Sequence, residues 1–299
     1  AAALTKAPTF KLEEQADPLQ ESLQREAEEL YQAGDFDKAG EKFYFLAESY
    51  NHTGDTTREI GALQNMGACL SKMQELEKAV TLYQHCYTLA EGIEDGQKQS
   101  EIVESLGWIT YQMGDINQAI LWMDQACTLY ESLDQREGRV NANYFLGKLY
   151  AECGGWPKAV QHMEAALTLI EDGSPFIARV MSDIGFSYTQ MAERGAEGVA
   201  DTKREKGLLM LNEALALATE LNDANRIIAI HEYLAEVYKA TQEFGEVEGH
   251  YKRIIAIAKE ENDSFIEGRT CMDLGGMQFV VNAAFDEAVQ SYTRALELA

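Results

Sequence analysis

Small residues recur every 40 positions, at Ala39, Ala79, Ala119 and Ala159, and the series continues in Gly207, Val247 and Ala288. A fixed period of this length specifies a stacked array of helical units, because each unit has an apolar face that it can bury only against a neighbour. A second register lies upstream, at Ala27, Gly67, Gly107, Gly147, Gly185, Ala235 and Gly275. Bulky residues usually precede it, among them Met66, Leu106, Leu146, Ile184, Leu234 and Leu274. A very small residue beside a large one lets two helices approach closely while a side chain from the facing helix fills the gap. On the second helix of each unit, Tyr83, Met123, Met163, Leu211, Tyr251 and Tyr292 stand four residues beyond the small residue, on the same helical stripe.

The segments between the paired helices have turn chemistry: Gly34-Asp35-Phe36, Gly114-Asp115-Ile116 and Gly154-Gly155-Trp156-Pro157. Glycine accepts the left-handed conformation that ends one helix, Asp caps the next, and Pro157 suits a first helical turn. Each unit therefore reads as helix, tight turn, helix. The segments Leu106-Gly107 … Tyr111-Gln112-Met113-Gly114-Asp115 … Ala119 and Leu146-Gly147 … Tyr150 … Gly154 … Ala159 resemble the tetratricopeptide repeat signature, and the likeness extends over about residues 19 to 299. The resemblance implies an all-α fold, a right-handed superhelical solenoid of seven helix-turn-helix repeats with a concave protein-binding groove.

The period departs from the 34 residues usual in that family. Helices of about 17 residues would be roughly 26 Å long at 1.5 Å per residue, giving taller groove walls. This longer form is similar to the repeats of the Pins/Leu-Gly-Asn-rich adaptors and of the rapsyn type. Phrases such as Leu217-Ala218-Thr219-Glu220-Leu221-Asn222-Asp223 carry that likeness, although the Asn-Leu-Gly triplets typical of Pins are largely missing. Residues 1–17 read as an extended or disordered segment and 18–299 as the array. Its fifth unit carries about ten extra residues within 191–206, expected to form a solvated loop or an extended helix that exposes Lys203, Arg204 and Lys206. The absence of an initiating Met and the short final helix suggest a piece of a longer chain, and leave open self-association through that helix.

The chain has 25 basic and 50 acidic residues, a formal net charge of −25. A field of this sign repels phosphate backbones and anionic membranes, so neither nucleic acid nor membrane is expected as a partner. No apolar run is long enough to span a bilayer, and the opening residues lack the order of a signal peptide. Five cysteines, Cys69, Cys86, Cys127, Cys153 and Cys271, form no C-x-x-C pair and read as reduced thiols of an intracellular, cytoplasmic protein.

No catalytic or metal signature is present: no G-x-S-x-G elbow, no phosphate loop, no H-E-x-x-H helix and no calcium-loop spacing. The five histidines fall in different units and read as structural or surface residues; His85 and Cys86 are adjacent on a helix and so point apart. No cofactor, metal or enzymatic activity is expected. Transferred by register, the groove of the resembled family is lined by Glu21, Glu28, Glu101, Glu104, Glu152, Glu232 and Glu236 against Lys72, Lys148, Arg179, Lys239 and Arg269, a nearly balanced set. Aromatic residues Tyr31, Trp108, Tyr111, Tyr144, Phe186 and Phe279 fall on the same wall. The candidate partner-binding residues are Gln64, Lys72, Glu104, Trp108, Tyr111, Asn141, Tyr144, Lys148, Arg179, Phe186, Lys239 and Arg269. Capture of a free carboxylate, a mode known in the family, is disfavoured by Gln24, Glu28 and Glu104 at positions that would need donors and positive charge.

The expected function is an adaptor that holds a peptide or helix of basic or mixed charge. The alternatives are an architectural subunit of a cytoskeletal or ciliary assembly and a regulatory segment of a larger enzyme.

Overall fold

The computed structural model describes residues 18–194, 199–281 and 284–298. Among them the chain forms fourteen α-helices and no strand, each helix packed on the next within Pro18–Gln112 and within Arg136–Leu298. The helices are α1 (Pro18–Gln32), α2 (Phe36–Thr53), α3 (Thr56–Lys72), α4 (Leu76–Gly92), α5 (Gly96–Gln112), α6 (Ile116–Ser132) and α7 (Arg136–Glu152). They continue as α8 (Trp156–Leu169), α9 (Phe176–Glu193), α10 (Val199–Glu220), α11 (Ala224–Ala240), α12 (Phe244–Glu260), α13 (Ser264–Val280) and α14 (Phe285–Leu298). Contacts divide the chain into two compact units, Ala1–Leu129 and Tyr130–Ala299.

Aspartate starts many of these helices. Asp35, Asp55, Asp95, Asp223 and Asp263 each accept a hydrogen bond from the backbone N–H three residues on, satisfying a donor that the helix cannot. Asp115 does the same for Gln118 at 3.0 Å, and Pro157 lies in the first turn of α8. Turns between helices are closed by a left-handed residue. Gly34 (φ 83°) and Gly154 (φ 73°) do this as the turn chemistry requires, whereas Gln74 (φ 60°) and Gln242 (φ 63°) adopt the same conformation with a Cβ to accommodate.

The two registers meet as the sequence predicts. A Cβ on Gly67 would come within 2.5 Å of the Tyr83 ring, on Gly107 within 2.6 Å of Met123, on Gly147 within 2.6 Å of Met163, and on Gly275 within 3.1 Å of Tyr292. The large residue of each second helix thus fills the space left by the missing side chain of the first. Met123, Met163 and Leu211 are fully buried, each contributing about 2 kcal/mol of transfer free energy. In the fifth pair both positions are glycine, and the backbones themselves approach: a Cβ on Gly207 would lie 2.6 Å from the Gly185 carbonyl oxygen.

Part of the insertion is absorbed by helix extension, since α10 has 22 residues where most of the others have 17. Residues 195–198 and the expected extended segment 1–17 lie outside the described residues. Lys206 is not simply solvated. Its ammonium donates to the Tyr188 hydroxyl at 2.6 Å and lies 4.1 Å from the Tyr188 ring centroid. The five cysteines are free, with Cys69, Cys86 and Cys271 buried; burial pushes the Cys86 thiol up to about 12 and that of Cys69 to about 11. No described helix is long and apolar enough to cross a membrane.

Candidate partner-binding surface

In the unit Tyr130–Ala299, the odd-numbered helices α7, α9 and α11 are tied together by one carboxylate. Asp183 on α9 is 3% exposed. Its Oδ2 accepts from the Tyr144 hydroxyl of α7 at 2.6 Å, and its Oδ1 from the Tyr233 hydroxyl of α11 at 2.8 Å. Lys148 Nζ stands 3.3 Å from Oδ2, and the guanidinium of Arg226 stands 3.8 Å from Oδ1 while donating to Ser182 Oγ at 3.2 Å. A buried charge survives only when opposite charge and hydrogen-bond donors replace its water, and here two hydroxyls and two cations do so. Burial, with the charge of Asp183, raises both tyrosine pKa values, so the hydroxyls stay protonated as donors.

Aromatic rings extend this hub. Phe186 stacks on Tyr233 at 4.4 Å between centroids and meets Trp156 edge-on at 6.3 Å; Tyr144 meets Phe176 edge-on at 4.8 Å. The guanidinium of Arg194 lies over Trp156 at 5.7 Å and that of Arg179 over Phe176 at 6.0 Å. Tyr144 and Phe186, read from the sequence as groove-lining aromatics, are half-buried and pack between neighbouring units; Arg179 and Asn141 remain exposed beside them. The hub therefore holds three helices at a fixed spacing and leaves a basic margin of Lys148 and Arg179.

Next to it, α9, α11, α12 and α13 enclose a cavity of about 630 Å³ lined by Glu193, Glu232, Glu236, Lys239, Arg269 and Asp273, with Tyr251 and Ile254 below. Arg269 pairs with Glu232 across it. Burial, reinforced by Glu193, pushes the Glu236 carboxyl above its ordinary value. Lys239 and Arg269, both read from the sequence, lie here, so the same unit carries a basic margin at α7 and α9 and a mainly acidic cavity at α11 and α13.

In the unit ending at Leu129, Glu104, Trp108 and Tyr111 share one stripe of α5, with Trp108 and Tyr111 edge-on at 6.5 Å. Gln64 and Lys72 lie on α3, where the Gln64 carbonyl accepts from the Tyr83 hydroxyl at 3.0 Å. A smaller cavity of about 250 Å³ is lined by Gln24, Arg58, Asn65 and Lys98.

Sequence reasoning missed Asp183, Arg226, Tyr233, Glu193 and Asp273. The available signal was an acid placed between Ser182 and Ile184, two residues before the close-approach Gly185, where a charge demands partners. Among the described residues no cluster of three metal-ligating side chains exists. His231 and His250 fall not in different units, as the sequence suggested, but on the two helices of one unit, where they pair through Nδ1 atoms 2.9 Å apart; His162 pairs with Asn143 at 3.2 Å in the equivalent position of an earlier unit.

Residues 58–132 match the family model described as tetratricopeptide repeat. Among solved structures, BtubC from P. vanneervenii aligns at a TM-score of 0.59 and 18% identity over 68% of this chain and 81% of that one. A signal transduction ATPase with numerous domains and a tetratricopeptide repeat sensor, from Pyrococcus horikoshii, aligns at 0.75 and 14% identity over 93% of this chain, which spans 42% of that one. The apo form of RapI aligns at 0.64 and 9% identity over 94% and 97%. No curated protein matches the chain. Identities this low carry fold alone. The matched segment is thus tetratricopeptide repeat in sequence, and the chain shares its helical-repeat fold with these structures. The finer likeness to Pins-type adaptors and rapsyn is not shown by these matches.

Proposed function

We propose that the protein is a scaffold that holds a segment of a partner protein along the odd-helix face of the unit Tyr130–Ala299. The observation that carries this reading is the exposed Arg179 beside the hub, in the same unit as the open 630 Å³ cavity lined by Glu193, Glu236 and Asp273. With Arg269 held by Glu232, acids prevail among the remaining lining groups, and a mixed-charge peptide or helix laid along the face would set its basic residues against Glu193, Glu236 and Asp273 and its acidic ones against Arg179. Trp108, Tyr111, Glu104, Gln64 and Lys72 of the other unit form a separate candidate patch in this reading.

Arg179 offers the cleaner test, because reversing Lys148 would also place a second carboxylate against Asp183. Affinity purification with wild type and Arg179→Glu, combined with Lys239→Gln, is expected to lose its specific partners while the helical signal and melting temperature stay unchanged. Recovery of the same partners by the folded double variant would exclude this face. It would favour the architectural alternative, in which other surfaces make the contacts.

A further inference from the structure

The seven even-numbered helices can be compared position by position, and α2 stands apart. One residue after the small packing residue, later helices carry Val80, Ile120, Val160, Leu208 and Val289, with Glu248 the one polar member; α2 carries Gly40. Five residues after it, later helices carry Gln84, Asp124, Glu164, Asn212, Lys252 and Thr293; α2 carries Tyr44. Six residues after it, they carry His85, Gln125, Glu213, Arg253 and Arg294, with Ala165; α2 carries Phe45. The first unit has thus lost an aliphatic side chain where the rest keep one and gained two aromatic rings where the rest are polar or small.

All three departures border one groove. Val80 and Leu208 lie packed against the core and Val160 is buried, so this position normally fills the seam beside the following odd helix. At Gly40 the seam is open: a Cβ would just touch Cys69 at 3.6 Å, and a cavity of about 410 Å³ lies above Met66, Cys69 and Leu70. Tyr44 and Phe45 form its wall, 44% and 59% exposed, with their rings edge-on at 6.1 Å. Asp37 and Glu41 are on the rim, and the ammonium of Lys78 is already held by Glu75 at 2.6 Å. Exposed aromatic rings beside an apolar slot cost solubility and gain nothing for the fold, and an acidic rim selects the charge of what enters.

We infer that this groove between α2 and α4 docks a basic amphipathic helix of a partner protein, with a Leu- or Ile-sized side chain in the slot above Gly40 and Lys or Arg facing Asp37 and Glu41. Helix-in-groove docking fits a trough walled by helices, and the charge complementarity is local as well as global, the chain carrying −25 overall. This surface belongs to the unit ending at Leu129 and is independent of the partner face proposed above.

The test uses a fluorescein-labelled synthetic helix with leucines at helical spacing and lysines on both flanks, titrated by anisotropy at physiological salt. A second peptide has every leucine replaced by glutamine at the same charge. Wild type is expected to bind the leucine peptide at least tenfold more tightly than the glutamine peptide. Gly40→Val, which restores the residue of the other units, is expected to lose tenfold or more of that affinity with an equal or higher melting temperature. Phe45→Gln gives a surface variant with the same expected loss if Gly40→Val perturbs folding. Equal binding of both peptides, or full binding by Gly40→Val and Phe45→Gln, overturns the proposal. So does sedimentation of the wild type as a dimer that Gly40→Val converts to a monomer, since the occupant would then be a second copy.

Discussion

The two compact units solve the same packing problem with different chemistry. In the unit ending at Leu129, one continuous apolar cluster runs from Ala27 through Leu46, Ile60 and Tyr83 to Ile109. In Tyr130–Ala299 the described clusters are smaller and more polar groups are buried, among them Asp183, Ser187, His231 and Glu267, against Gln20, Glu59, Ser100 and Thr110 in the first unit. An apolar core tolerates small shifts of its helices, because dispersion and burial have no direction. A buried carboxylate with two hydroxyls and two cations specifies distances, and so fixes α7, α9 and α11 relative to one another. The face proposed for a partner in the second unit is therefore held by directional bonds, which predicts where substitutions should be costly.

The largest expected effect is Asp183→Ala. It strands the Tyr144 and Tyr233 hydroxyls and the Arg226 guanidinium, and should cost about 4 kcal/mol. Hydrogen exchange should show lost protection in α7, α9 and α11 with little change before Leu129; uniform loss would mean that the units are not energetically distinct.

Acid provides the next contrast. Burial beside His250 lowers the His231 pKa from 6.5 to about 4, and His250 is lowered too, mainly by burial. The unfolded chain therefore binds more protons between pH 6.5 and about 4, so the stability contributed by the neutral pair is full above 6.5 and lost as pH falls through that window. For His231 the loss is on the order of 3 kcal/mol, and it should flatten in His231→Asn, which copies the Asn143–His162 pair of an earlier unit. Urea unfolding at stepped pH reads this directly.

A single glycine substitution should also separate the units. Gly207→Ala drives a methyl to 2.6 Å from the Gly185 carbonyl oxygen, a backbone atom that cannot turn aside, and should cost about 3 kcal/mol. Gly107→Ala meets the flexible Met123 at a similar 2.6 Å and should cost about 1 kcal/mol, because the thioether chain can re-rotamer. Equal melting shifts for the two would contradict the distinction between a backbone and a side-chain contact.

The smallest effect is a gain. Gln74→Gly and Gln242→Gly relieve left-handed residues at φ 60° and 63°, and each should stabilise its own unit by about 0.5 kcal/mol. Thermal melts of the single variants check this.

The repeat geometry was legible because the period repeats its evidence: Gly67 with Tyr83, Gly107 with Met123 and Gly147 with Met163 state the same contact three times. The Asp caps were legible because they act three residues away. Asp183 was not, since its partners Tyr144 and Tyr233 stand 39 and 50 residues distant. Lys148, Arg179, Lys239 and Arg269 could be placed by register, but register does not say which charge is already spent: Arg269 is committed to Glu232 and Lys148 to Asp183. Gly40 with Tyr44 and Phe45 was visible all along as a departure from the other units. It gained meaning only once the structure placed all three around one groove.

The central claim is that the face bordered by Arg179 and the α11–α13 cavity receives the partner. A photo-crosslinking amino acid placed at Arg179, and in parallel at Gln161 on the even helix α8, tests it most directly. Adducts with the co-purifying partner from position 179 and none from 161 are the predicted result. Adducts from 161 alone would contradict it.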